Sequence, residues 1–124
     1  MTIDLSPELL AVQDAGRFEA TRQLLIGGAL VCHAAPRPAA GAPAPYPEIV
    51  RIPFSAGVGT VTPGGLALDA PIEGQCLSAG NIAWGRVETA GGLWVADFDA
   101  ADLALDRTAI LPGAFVRLLE GVWR

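Results

Sequence analysis

Apolar and polar positions follow two rhythms along the chain. From residue 6 to about residue 25 the spacing is helical. Ser6 is a good N-cap, Pro7 suits the first helical position, and Glu8 favours the positive end of the helix dipole. Leu9, Leu10, Gln13 and Arg17 then mix faces, Gly16 marks a candidate break, and Gly27-Gly28 ends the segment. This predicts one helix over about 7–25. Beyond it the rhythm is that of short apolar strands: 28–35, 48–54, 57–62, 65–70, 81–88, 92–99, 102–106 and 114–123, with glycine or proline near almost every junction. Strands of this length with turns roughly every 8–12 residues predict an antiparallel β-sandwich or barrel. No second helical pattern alternates with the strands, which disfavours a parallel α/β sheet.

Alternation within the strands assigns faces. In 92–99, Leu93 and Val95 share a side with Asp97 and Asp99, opposite Trp94, Ala96 and Phe98. In 114–119, Phe115, Arg117 and Leu119 oppose Ala114, Val116 and Leu118. Both faces are largely apolar, although a two-layer monomer needs only one. The second face is therefore expected to meet the helix or another subunit. Trp84 and Trp94 are expected in the core, because large aromatics dominate cores. Trp123 is expected either to dock back on the domain or to press against a partner.

The stretch "HAAPRPAAGAPAPYPEI" (33–49) breaks both rhythms with five prolines, six alanines and one glycine. One helix and one strand precede it, too little to form a core alone, so the chain must come back. The prediction is a single domain over 1–124, with the helix at about 7–25 and a β-sandwich at about 28–123. Residues 34–47 are then a surface loop that proline pre-stiffens. As a docking peptide it lacks compact polyproline spacing.

Composition narrows the function. Only 17% of residues are charged, against roughly 25% in ordinary soluble domains. All eight basic residues are arginine and the net charge is -5. A GC-rich genome would produce this bias, and so would a surface partly hidden by neighbours, where arginine is favoured over lysine. Eight scattered arginines do not make a basic face, which excludes nucleic acid as an expected partner. The longest apolar run, "LLIGGALVCHAA", is too short for a membrane helix of about 20 residues. The start has no basic region before an apolar stretch, so a soluble protein made in a cytoplasm is expected.

Candidate chemistry is sparse. Cys32 and Cys76 lie far apart, which favours two reduced, partly buried thiols. The sole histidine, His33, follows Cys32 directly, and strand neighbours diverge, so the two make neither a metal chelate nor a nucleophile–base pair. "DFDAADLALD" gathers Asp97, Asp99, Asp102 and Asp106, but lacks the glycine and bidentate glutamate of a calcium loop. A solvated turn is the expectation, with Arg86 pairing Asp97 or Asp99 across a hairpin. No catalytic residue, cofactor or metal is expected.

One resemblance emerges from the strand "GNIAWGRVETAGGLWVADFDA" and the closing "LALDRTAILPGAFVRLL". Together with "LSPELL", "HAAPRP" and "RIPFSAGVGTVTPGGLALDAPI", this order resembles small virion structural proteins of tailed bacteriophages and prophages. The matching positions are Gly80, Ala83, Trp84, Arg86, Gly92, Asp97, Leu103, Leu105, Ile110 and Gly113, while the Ala/Pro composition of 34–47 departs from the pattern. The resemblance implies a non-enzymatic particle component with a β-sandwich core, assembled in a bacterial cytoplasm and present in the virion. Within that class the expectation is a capsid decoration (cement) protein that contacts itself, first as a trimer, and the major capsid protein. The alternatives are a tail-tip, baseplate or neck component and, from another class, a small carbohydrate-binding β-domain. The candidate contact residues are Tyr46, Phe98, Arg117, Trp123 and Arg124.

Overall fold

The computed structural model describes residues 6–124; the start of the chain and the side chains of residues 8–12 lie outside that description. Helix α1 runs unbroken over Pro7–Leu25. Gly16 does not interrupt it, and nothing comes within 4 Å of where its Cβ would stand. Its cost is then only the propensity deficit, about 1 kcal/mol against alanine. Arg22 donates to Glu19 at 2.6 Å and to the Gly57 carbonyl at 3.1 Å, which ties the helix to the body. Hydrogen bonds from Arg22 and Gln23 hold the half-buried Glu19 carboxyl down at about 2. Phe18 and Leu25 are the buried anchors of the described helical face.

The strands among the described residues are β1 (Ala29–His33), β2 (Val50–Pro53), β3 (Gly59–Thr62), β4 (Gly65–Leu68), β5 (Ile72–Gln75), β6 (Gly80–Asn81), β7 (Trp84–Glu88), β8 (Trp94–Asp99), β9 (Ala109–Ile110), β10 (Phe115–Leu118) and β11 (Val122–Trp123). All the pairings are antiparallel. The central sheet has the order β2-β1-β7-β8, a second has the order β11-β4-β3, and β10-β5 and β6-β9 form pairs. A bridge between Val50 and Cys76 carries the central sheet on to β5 and β10. Another, between Leu105 and Leu118, brings the chain beyond β8 against the other edge of β10. The fold is mainly β, a sandwich of packed antiparallel sheets with one N-terminal helix, as the strand rhythm predicts. The helix packs on β3 and β4.

Several elements depart from the sequence expectation. The expected strand at 102–106 is a short 3₁₀ turn, Ala100–Asp102, followed by the single bridge at Leu105. The expected strand at 81–88 is two, because the chain changes partner: Ile82 N–H donates to the Thr108 carbonyl and Ala83 N–H to that of His33. The stretch 114–123 also divides, with β10 on β5 and β11 on β4. Strand β5 lies outside the strand rhythm because Gly74 interrupts its alternation. A Cβ there would come within 2.2 Å of the Arg51 carbonyl, so close approach of β2 requires the glycine.

The main core gathers Leu30, Cys32, Ile52, Leu66, Val87 and Val116 with their neighbours from both sheets and the helix. Val31 and Trp84 are also buried, yet neither belongs to that cluster. They lie on the opposite, outer face of the central sheet. Something other than the helix must cover them.

Candidate interaction surfaces

The outer face of the central sheet is covered by the proline/alanine segment. This strap, 34–47, leaves β1 and returns into β2, its neighbour in the sheet. The Trp84 indole N–H donates to the Ala34 carbonyl at 3.0 Å. Arg37 donates to the Asp99 carboxylate at 2.7 Å and to the Asp97 carbonyl at 3.3 Å. Gly41 N–H donates to Asp97 Oδ2 at 3.2 Å, and its left-handed backbone (φ 74°) lies against the Trp94 ring. A side chain at position 41 would therefore meet both strain and the indole.

Beneath the strap, paired residues on β1 and β7 build a second small core. His33 and Trp84 are register partners, and their rings stack with centroids 4.5 Å apart. The Arg86 guanidinium stands 5.1 Å from the Trp84 ring. It donates through Nε and Nη2 to the two Asp97 oxygens, at 2.7 and 3.1 Å. The expected cross-strand pair forms with Asp97, not Asp99, and it is buried: its side chains are 9% and 1% exposed. Burial pushes the Asp97 carboxyl up, but the Arg86 and Gly41 hydrogen bonds outweigh it and hold the group below its ordinary value. Burial lowers His33, against the pull of the Tyr46 and Pro47 carbonyls, and its Nδ1 is buried without a hydrogen-bond partner.

Trp94 corrects the sequence expectation. It is not core but 48% exposed, on the strap side. The cause is a register shift opposite Val87 and Glu88: Glu88 pairs with Trp94 while Val87 pairs with Ala96, so Val95 is an extra residue. A β-bulge of this kind turns the residues before it to the other face. Val95 and Phe98 then pack on the core, and Trp94 joins Asp97. On β8 the second face, expected to meet the helix or another subunit, meets the strap; on β10 it stays exposed at Phe115 and Leu119.

The four aspartates have separate roles. Asp97 serves Arg86 and Gly41, Asp99 serves Arg37, and Asp106 accepts from Arg117 N–H at 2.9 Å. Asp102 borders a cleft. Cys32 and Cys76 are free and buried, and burial with a nearby Cys76 pushes the Cys32 thiol up to about 12. Cys32 lies in the main core while His33 stacks on Trp84 at the outer face, so His33 does not stand as a base beside the thiol.

The candidate contact residues separate into three places. Phe98 and Trp123 meet edge to face, with centroids 5.7 Å apart, and line a cleft of about 290 Å³ with Leu30 and Phe54. Arg124 borders that cleft with Asp102 and Glu120. Trp123 is thus docked back on the body. Tyr46 is exposed on the strap, and Arg117 lies on the outward face of β10, where it donates to Glu73 at 3.0 Å. Beside Arg117, on the face that alternation assigns to all three, stand Phe115 and Leu119, 48% and 50% exposed. Their spacing in "FVRLL" was the available signal.

No family model, curated protein or solved structure matches this chain.

Proposed function

We propose that this chain is a non-enzymatic structural component of a bacteriophage virion. Within the particle it acts as a decoration (cement) protein that binds its own copies and the major capsid protein. The observation that carries the reading is the surface: among the described residues, ten large apolar side chains are more than two-fifths exposed in a chain with 17% charged residues. Apolar patches beyond a few hundred Å² mark contacts on soluble proteins. The motif resemblance supplies the class of assembly, and His33 and both cysteine thiols are buried away from solvent.

Quantitative mass spectrometry of purified particles tests this. Hundreds of copies per particle are expected. A handful would move the protein to the tail, baseplate or neck. Its absence from particles would overturn the reading, and saturable quenching of the exposed Trp94 by sugars would favour a carbohydrate-binding domain instead.

A further inference from the structure

We infer that two copies of this chain meet through the outward face of β5 and β10, across a twofold axis that sets Arg117 of each against Glu73 of the other. The inference rests on the assembly reading above and names the surface it would use.

The face is built by register. On β10, Phe115 and Arg117 point outward while Val116 and Leu118 are buried, and the exposed Leu119 follows directly after the strand. On β5, Arg117 pairs with Glu73 and Phe115 with Gln75, both exposed. Leu77 continues the outward series beyond Gln75, and Leu111 precedes the turn back into β10; they are 70% and 74% exposed. The face thus carries apolar side chains at both ends and one ion pair in the middle, Arg117 Nε to Glu73 Oε2 at 3.0 Å.

The charge pattern selects the occupant. The chain as a whole carries -5, so two copies repel wherever their acidic surfaces approach. The Arg117–Glu73 row is neutral, and copies can approach there without that penalty. An isologous contact presents the same patch from both sides, so every residue must find its complement on that patch. An adjacent Arg and Glu meet this condition: rotation about an axis between them places each charge opposite its opposite. A strongly basic partner would need an acidic face, and a strongly acidic one a basic face. The symmetry pairs the copies in twos, in place of the trimer expected from the sequence.

The test uses full-length protein and sedimentation velocity over a concentration series. Wild type is expected to dimerise. R117E and E73R are each expected to weaken self-association by about tenfold or more, since both symmetric pairs become like-charged. Mixed in equal amounts, R117E and E73R are expected to associate with each other, because one variant's acidic face then meets the other's basic one. Circular dichroism of each variant checks that the fold is kept, and the mixture controls for any that it is not. A wild type that stays monomeric overturns the inference, although particle binding by that monomer would leave the virion reading standing. A wild type that associates while R117E and E73R associate equally well, alone and mixed, places the contact elsewhere and also overturns it.

Discussion

The two faces of the central sheet are closed by different physics. The inner face is aliphatic: Leu30, Cys32, Ile52 and Val87 pack against the second sheet and against each other. The outer face holds Val31, His33, Trp84 and the Arg86–Asp97 pair under a strap with no hydrophobic rhythm. The strap contributes few large side chains. It works through backbone donors and acceptors, at Ala34 and Gly41, and through the Arg37–Asp99 pair. One face therefore depends on area removed from water, which pH does not touch. The other depends also on the charge state of a histidine and an aspartate, which pH does.

The largest break in this comparison comes from Trp84. Its ring is fully buried although it lies outside the main core, so Trp84→Ala should lower unfolding free energy by about 3–5 kcal/mol. On the inner face Ile52→Val should cost about 1 kcal/mol. Chemical denaturation of the two variants checks both, and a Trp84 effect no larger than that of Ile52 would make the strap an ineffective cover.

Next comes the ion pair. Asp97→Ala strands the Arg86 guanidinium where its side chain is 9% exposed, and a cost of about 3 kcal/mol is expected. Replacing both partners, Arg86→Met with Asp97→Leu, should recover much of that loss, since the uncompensated charge is what costs most. Denaturation midpoints of the single and double variants decide it.

The pH dependence should be smaller and staged. His33 is held below its ordinary value of 6.5, so the unfolded chain takes up a proton before the folded one does. Its contribution is complete above about pH 6.5 and is lost as pH falls below it. Asp97 is held below 3.8, so its contribution persists to lower pH and disappears below about 4. Melting temperature followed from pH 8 to 3 should fall in these two stages, and His33→Phe should flatten the first. The smallest effect belongs to Arg37→Ala. That pair has side chains 36% and 61% exposed, so a loss under about 1 kcal/mol is expected from denaturation.

Much of the fold was legible because alternation and glycine or proline punctuation agree over most of the strands. The hairpin of β7 and β8, an Arg86 pair across it with Asp97 or Asp99, the two free cysteines and the burial of Trp84 all follow from side-chain period and inventory. What was hidden depends on partners rather than on local pattern. The bulge at Val95 moves Trp94 to the other face, and alternation alone cannot place a bulge. Gly74 reads as a strand breaker until the carbonyl of Arg51 is seen to need its space. The strap's role was hidden for the same reason: its contacts are made by backbone groups, which every sequence carries. Trp123 read as a possible contact because of its place near the last residue; its pairing on β4 and packing on Phe98 make it part of the body. Removing the segment from Gly121 onward would therefore disturb the fold as well as any contact made there.

The proline/alanine strap closes a small core over Trp84. Acrylamide quenching of Trp84 fluorescence tests it most directly, in a chain where Trp94→Phe and Trp123→Phe leave Trp84 as the one emitter. With the strap intact, Trp84 should be almost fully shielded. With residues 35–46 replaced by a short Gly/Ser turn, and the sheet content unchanged by circular dichroism, quenching should rise toward that of an exposed indole. A Trp84 that stays shielded without the strap, or is already quenched with it in place, would mean that the strap is not its cover.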